Sequence, residues 1–98
     1  MIVEVTNIAK KELKNFLEKR QDNRPIRIHI VPNCWGAPFF QLTLDEQEYG
    51  DLETYVDDFS FVYNEGLTDN YWRLTIDYSK GWFRKGFSVI PDRIECKW

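Results

Sequence analysis

Three side chains in this sequence carry the thiol and imidazole groups that are typical ligands of transition metals: two cysteines and the single histidine. Cys34 lies in the stretch PNCWGAPFF, residues 32–40, and Cys96 is the other cysteine. Thiolates and imidazoles are metal ligands, and a thiolate is also a nucleophile. No C-x-x-C pair is present, so a redox motif of that kind is absent. The spacing alone therefore leaves two interpretations open, a metal-binding thiolate pair and two ordinary free cysteines.

The remaining polar residues give little support for catalysis. His29 lies in a predicted strand, opposite a face of three isoleucines, where a plain strand histidine is the ordinary interpretation and an iron ligand the alternative. The carboxylates between Asp45 and Asp51 do not match the spacing of an EF-hand. No phosphate-binding glycine loop, Ser-His-Asp set or zinc pattern is visible. The sequence therefore predicts a protein that is not an enzyme.

The composition indicates one domain in a reducing compartment. The chain has 98 residues, of which 43% are hydrophobic and 16% aromatic, enough for a modest core. No apolar run approaches the roughly 20 residues that a membrane span needs, and the first residues lack the pattern of a signal peptide. We therefore expect a single domain over residues 1–98, a cytoplasmic location and reduced cysteines.

Charge is distributed unevenly along the chain. The net charge of -3 argues against a general nucleic-acid-binding protein. Basic residues exceed acidic ones by 7 to 4 in residues 1–30 and by 5 to 2 in residues 79–98, whereas residues 31–78 hold 10 acidic residues and 1 basic residue. The ordinary interpretation is solvated strand faces and turns, and the alternative is an acidic surface that meets a basic partner.

One helix is predicted near the N-terminus. Residues 2–5 fit a short strand, and Thr6 fits the N-cap of a helix over residues 7–20. Apolar residues recur on one face of this helix at spacings of three and four, namely Ala9, Leu13, Phe16 and Leu17. Pro25 disfavours helical geometry at Arg24, so the helix is expected to end before it.

The rest of the chain is predicted to form strands. IRIHIV at 26–31 and FFQLTLDE at 39–46 alternate in hydrophobicity, with the Cys34 turn between them. FSFVYN, YWRLTIDY and the segment around Phe87 fit further strands, LETYVDD fits a short or edge strand, and Pro91 is expected to end the last strand. Such strands covered by one N-terminal helix predict an α+β fold with a small, β-rich, sandwich-like body.

This order of elements, and particular residues in it, resembles the HesB/IscA-like family of A-type iron–sulfur carriers over essentially the whole chain. In that family a helix that opens with Thr or Ser precedes a strand like IRIHI, and a turn of small residues carries the first cysteine, as in PNCWG. A strand leading to an Asp-Glu pair follows, as in QLTLDE. LTIDYSKGWFRKGFSV is similar to the family's Leu-Asp-Tyr/Phe and Gly-Phe pattern, with Gly86 and Phe87 as the pair.

The resemblance implies a metal-binding role for both cysteines. Family members usually carry one cysteine in the mid-chain turn and a Cys-Gly-Cys pair near the C-terminus. Cys34 corresponds to the first, and Cys96 stands where the pair belongs, but Lys97 and Trp98 occupy the next two positions. Iron–sulfur clusters prefer four thiolate ligands. The resemblance therefore implies iron or a [2Fe–2S] cluster bound by Cys34 and Cys96 from each chain of a homodimer.

Two functions from different classes remain open. The first is iron–sulfur cluster assembly or iron carriage, with assembly or client proteins as partners and neither nucleic acid nor a membrane. The second is a metal-free protein of this fold that acts as a protein-interaction module through aromatic residues in its turns, such as Trp35 and Trp82. Two weaker hypotheses are a transient Cys34–Cys96 disulfide and a thiol-dependent enzyme.

Overall fold

The structure is a computed structural model that describes residues 1–32, 34–36, 38–81 and 85–94. These residues form one α-helix, α1 (Asn7–Arg20), and one 3₁₀-helix (Glu65–Asp69). Seven strands complete the described elements: β1 (Ile2–Val5), β2 (Ile26–Val31), β3 (Phe39–Leu44), β4 (Asp51–Val56), β5 (Phe59–Asn64), β6 (Tyr71–Lys80) and β7 (Lys85–Arg93). In the described part of the chain, no helix has the length and hydropathy that crossing a membrane would require.

Two mixed sheets enclose a common core. One sheet has the strand order β1-β6-β7, with β1 parallel to β6, and the other has the order β3-β2-β5-β4, with β2 parallel to β5. The core contains apolar side chains from both sheets and from α1: Val3, Val5, Ala9, Leu13, Ile26, Ile28, Phe61, Tyr63, Leu67, Tyr71, Leu74 and Ile76. This architecture confirms the predicted α+β, sandwich-like fold with one N-terminal helix.

Thr6 begins α1 and attaches it to the three-stranded sheet. Its hydroxyl accepts a hydrogen bond from the backbone N–H of Ala9 (3.3 Å) and donates one to Asp77 Oδ1 (2.8 Å). Its backbone N–H donates to the carbonyl of Ile76 (3.0 Å). One residue therefore caps the helix and fixes its starting point on β6, and the predicted N-cap and helix range are confirmed.

The last two strands are longer than the sequence patterns predicted. β6 continues through Lys80, and β7 continues past Pro91, which pairs with Leu74. β7 pairs only with β6 among the described strands, so Pro91 lies in an edge strand, where a missing N–H can be tolerated. The expectation that Pro91 ends the strand was therefore wrong.

The chain crosses the four-stranded sheet between β3 and β4, which lie at its opposite edges. Three inter-strand spacings of about 4.8 Å separate these edges, or roughly 14 Å. The connection between them covers residues 45–50, which we call the crossover loop. It must pass the two central strands, so its polar backbone needs partners on the sheet that it crosses.

Arg27 of β2 donates to one backbone carbonyl of this loop and to two carboxylates at its ends. Taken over whole residues, Arg27 is the one charged residue that is buried in the described part of the chain, and the side chain of Asp51 is itself only 4% exposed. The Nε of Arg27 donates to Asp45 Oδ2 (2.9 Å), and its Nη2 donates to the carbonyl of Glu46 (2.7 Å) and to Asp51 Oδ2 (2.6 Å). Asp45 is the first residue of the crossover loop, and Asp51 follows its last residue. One guanidinium therefore holds both ends of the loop to the centre of the sheet.

The hydrogen bonds to Asp51 change the pKa of its carboxyl group. The hydrogen bond from Arg27, followed by one from the backbone N–H of Glu48, lowers the pKa of Asp51 below its ordinary value. A carboxyl group whose pKa is lower in the folded state stabilises the fold above its unfolded-state pKa. We therefore expect this stabilisation to be lost as the pH falls from the ordinary Asp range through the folded-state pKa.

Replacing Arg27 by methionine should destabilise the fold by about 2–3 kcal/mol, because it leaves the Asp51 carboxylate buried without its partner. The measurement is urea unfolding at neutral pH. The loss should shrink in acid, where Asp51 is protonated. Arg24→Met is the matched control, since Arg24 pairs with Asp22 at the surface. Equal losses in the two variants would contradict the role assigned to Arg27.

Replacing Thr6 by alanine should cost about 1–2 kcal/mol of unfolding free energy, because it removes the helix cap and the donor to Asp77. Thr6→Ser keeps the hydroxyl and should retain most of the stability. Thermal unfolding of both variants beside the unmodified protein measures the difference. An alanine variant as stable as the serine variant would show that the hydroxyl is not the stabilising group.

Candidate cysteine site

Cys34 lies at the tip of the β2–β3 hairpin. The two strands pair in continuous antiparallel register from Ile26 with Leu44 to Val31 with Phe39, and the Cys34 turn connects them. The thiol of Cys34 is free and exposed. No lysine, arginine, aspartate or glutamate occurs in residues 30–44, so the whole tip is uncharged. The hairpin therefore exposes a free thiol to solvent in a turn without charged side chains, and this is the turn that the sequence predicted for Cys34.

His29 lies on the stem of the hairpin, not at its tip. Its Nε2 is 2.8 Å from the hydroxyl of Thr43 on the neighbouring strand, and the ring is partly buried. The described residues contain no group of three or more His, Cys, Asp and Glu side chains that could hold a metal ion. A metal at Cys34 would therefore need ligands from elsewhere in the chain or from a second chain.

Cys96 lies outside the described residues, as do Trp82, Lys97 and Trp98. The description of the C-terminal part of the chain ends at Ile94. The pairing of Cys34 with Cys96 thus stays a prediction.

A contact between two rings aligns the ends of the two sheets. Phe40, which pairs with Ile30 near the end of β2, meets Tyr71 in an edge-to-face arrangement with a centroid distance of 5.4 Å. Tyr71 begins β6 and pairs with Arg93 at the end of β7. The N–H of Ile94 then donates to the carbonyl of Asn70 (2.9 Å). The tip of the Cys34 hairpin and the end of β7 are therefore at the same end of the sandwich.

Large apolar side chains are exposed at this end of the molecule. Trp35 is 97% exposed, and four others are between 41% and 47% exposed. We call these five residues the apolar end surface: Ile30, Trp35, Phe39, Trp72 and Ile94. The sequence predicted a contact role for aromatic residues in turns, such as Trp35, and it placed Ile30 with two other isoleucines on one face of its strand. The position of Ile30 next to the last residue of β2 explains its exposure.

Several residues on which the sequence resemblance rested have structural roles. Asp77 of LTIDY accepts a hydrogen bond from the Thr6 hydroxyl. Phe87 packs edge-to-face against Tyr78 at 4.9 Å and against Phe16 of α1 at 6.5 Å, between centroids. Gly86 has a φ of +140°, which favours glycine. These residues join α1 to the three-stranded sheet.

The same fold occurs in three solved structures. The crystal structure of IscA with the [2Fe-2S] cluster superposes with a TM-score of 0.72 at 23% identity, covering 94% of this chain and 85% of that chain. The chain has the HesB/IscA-like fold. The crystal structure of Escherichia coli SufA, involved in biosynthesis of iron–sulfur clusters, has a TM-score of 0.75 at 14% identity, covering 98% of this chain and 87% of that chain.

A third structure extends this likeness. A solution NMR structure of a protein from Aquifex aeolicus has a TM-score of 0.68 at 23% identity, covering 92% of this chain and 91% of that chain. No family model matches the sequence, and no curated protein matches it. The HesB/IscA-like fold of this chain is thus recognised from its three-dimensional structure at identities where the sequences have largely diverged.

Exposure of Cys34 predicts rapid alkylation in the folded protein. Iodoacetamide under native, reducing-agent-free conditions should label Cys34 without denaturant, and mass spectrometry of proteolytic peptides should locate the label. Cys34→Ser provides the blank for that peptide. If labelling of Cys34 requires urea, the thiol is buried in solution, and the description of the hairpin tip is wrong.

Proposed function

We propose that this protein acts in iron–sulfur cluster assembly and carries iron or a [2Fe–2S] cluster as its cargo. Likeness in fold to IscA and SufA supports the general role. The observation that carries the proposal is the free thiol of Cys34, exposed at the end of the sandwich where β7 also ends. Cys96, the second proposed ligand, comes three residues after the last residue of β7 in the sequence.

The donor chemistry of these residues suits iron. Cysteine thiolates are the usual ligands of iron–sulfur clusters, and a cluster takes four. Each chain has two cysteines, so two chains together supply four. Bound in this way, the cluster would be shared by a homodimer, with Cys34 and Cys96 contributed by each subunit and assembly or client proteins as the partners that deliver or receive it.

The chain's own residues prepare the Cys34 side of this site. The strands of the hairpin hold the backbone in register up to Val31 and Phe39, and so fix the two points between which the Cys34 turn runs. Trp35 and Phe39 are aromatic residues close to Cys34 in the sequence. Apolar rings of this kind exclude water when a second surface covers them. The hydrophobic surroundings of a metal site control the access of water to the metal and thereby its redox potential.

A second candidate is a metal-free protein-interaction module with the same fold. The exposure of the five side chains of the apolar end surface favours it, because exposed apolar patches commonly mark protein contacts. In this case Cys34 would be an ordinary surface cysteine.

Anaerobic reconstitution with ferrous iron and sulfide distinguishes the two candidates. We expect a coloured protein with thiolate-to-iron absorption, and we expect Cys34→Ser and Cys96→Ser each to reduce that absorption strongly. His29→Gln is the control and should remain coloured, because His29 lies on the hairpin stem against Thr43.

A colourless product that stays folded would favour the interaction module. Colour that is unchanged in both serine variants would show that iron binds elsewhere and would also overturn the proposal. Circular dichroism of each variant verifies that the fold is intact in these comparisons.

A further inference from the structure

We propose that a groove between α1 and the turn joining β4 to β5 binds an extended segment of a partner protein. The groove holds a cavity of about 530 Å³, and we call it the lysine groove. The side chains of its lining on which binding depends are Lys11, Lys14, Leu17, Glu18, Asp58 and Phe59. Binding there requires neither iron nor a cysteine ligand, so the inference goes beyond the proposed function and is independent of it.

The walls of the lysine groove are already in place in the free protein. The turn between β4 and β5 closes a hairpin whose strands pair in continuous register. Lys10 of α1 forms an ion pair with Asp57 of this turn (2.7 Å), which connects the helix to the turn. Leu17 and Phe59 are partly buried against the core and form an apolar floor. A ligand therefore does not have to order the groove when it binds.

The width of the groove favours an extended chain as the ligand. One lysine and one aspartate side chain, those of Lys10 and Asp57, span the gap between the helix and the turn. An α-helix with its side chains is about 10–12 Å wide, which is too wide to enter between these two walls. A single extended chain fits, with alternate side chains directed toward the floor.

Lys11 and Lys14 supply positive charge on the helix wall. Both are exposed, and neither forms an ion pair with a carboxylate of the described residues. Side chains three residues apart are neighbours on a helix surface, with about 5–6 Å between their Cβ atoms. One carboxylate of a partner can therefore contact both ammonium groups without breaking an ion pair of this chain.

Glu18 and Asp58 supply negative charge further along the groove. Glu18 follows Lys14 by four residues, which is about 6 Å along the helix axis, and Asp58 lies on the opposite wall. Both carboxylates are exposed, and in the described part of the chain neither has a cationic partner. The groove is therefore positive at one end and negative at the other, with an apolar floor between its walls.

This order of charges defines the segment that fits. Alternate side chains of an extended chain point to the same side at intervals of about 6.6 Å. A segment with an acidic, an apolar and a basic residue at three alternate positions therefore matches the lysines, the floor and the carboxylates in turn. Lys11 and Glu18 are about 10 Å apart along the helix axis, and the two charged residues of the segment are about 13 Å apart. The long side chains of lysine and glutamate bridge the difference.

The lysine groove lies at the other end of β2 from the Cys34 turn. Phe59 begins β5, which runs parallel to β2 with Phe61 opposite Ile26. The Cys34 turn follows Val31, and five residue steps of strand, or about 16 Å, separate Val31 from Ile26. A partner held in the groove therefore leaves the Cys34 thiol exposed.

The test is an NMR titration of the ¹⁵N-labelled apo protein, kept in reductant, with a synthetic peptide. The peptide is acetyl-Ser-Glu-Ser-Leu-Ser-Lys-Ser-amide, which has the three proposed side chains at alternate positions. We expect saturable amide shift changes concentrated in α1 and in residues 56–60, and none around Cys34. Replacing the leucine of the peptide by serine should weaken binding at least about fivefold, because the apolar contact with the floor is lost.

Lys14→Glu should also weaken binding of this peptide at least about fivefold, because it sets two carboxylates against each other. The variant should bind a peptide with lysine in place of the glutamate more tightly than the unmodified protein does. Lys19→Glu is the matched control, since Lys19 is exposed on the same helix but does not line the groove. It should change the affinity less than about twofold. Circular dichroism verifies that both variants are folded.

Each outcome bears on this inference alone. Groove shifts that are weakened by Lys14→Glu and retained in Lys19→Glu support it, whether or not reconstitution gives a coloured protein. No saturable shifts at millimolar peptide, equal losses in the two lysine variants, or equal affinity for the serine-substituted peptide would overturn it. Groove shifts that follow protein concentration without peptide would assign the groove to a second copy, and equal shifts from a single-stranded oligonucleotide would assign it to anions in general. Both results would overturn it as well and leave the proposed function standing.

Discussion

The ion pairs of Arg27 are the constraint on which the rest of the structure depends. The four-stranded sheet places β3 and β4 at opposite edges, so the chain must cross two central strands in residues 45–50. Arg27 holds both ends of that crossing through Asp45 and Asp51. Without it, the Asp51 carboxylate would lose its cationic partner, and β4 would be held in its sheet only by its pairing with β5. β2 itself is central because it pairs with both β3 and β5, and the hairpin that begins on β2 presents Cys34 at the end of the sandwich.

A second, apolar constraint relates the two sheets to each other. The rings of Phe40 and Tyr71 are in contact where β2 ends and β6 begins. At the same end of the sandwich, the backbone N–H of Ile94 donates a hydrogen bond to the carbonyl of Asn70. The end of β7 is thereby set beside the cysteine hairpin, although the two segments are far apart in sequence. The same alignment exposes apolar side chains around a neutral tip. Metal ligation is therefore proposed for this end of the molecule, and the acidic crossover loop lies at the opposite end of the β2–β3 hairpin.

Sequence patterns predicted the local features well and the long-range polar ones poorly. The Thr6 cap, the α1 range and the presence of the two hairpin strands depend on nearby residues and are confirmed. The second strand ends at Leu44 instead of residue 46, and burial does not alternate in β2 because Arg27 is buried between two isoleucines. The partners of Arg27 lie 18 and 24 residues away, and no local pattern reports such a pair. Ile30 is exposed by its place next to a strand end, which alternation does not encode. The role of Cys96 stays a prediction, because that residue is outside the described part of the chain.

The most direct measurement of the central claim is iron K-edge X-ray absorption of the reconstituted protein. It reports which elements surround the metal. We predict that sulfur atoms alone are bonded to the iron, and that Cys34→Ser or Cys96→Ser replaces part of this sulfur by oxygen. A shell of oxygen and nitrogen in the unmodified protein, or a sulfur shell that neither substitution alters, would contradict ligation by these two cysteines.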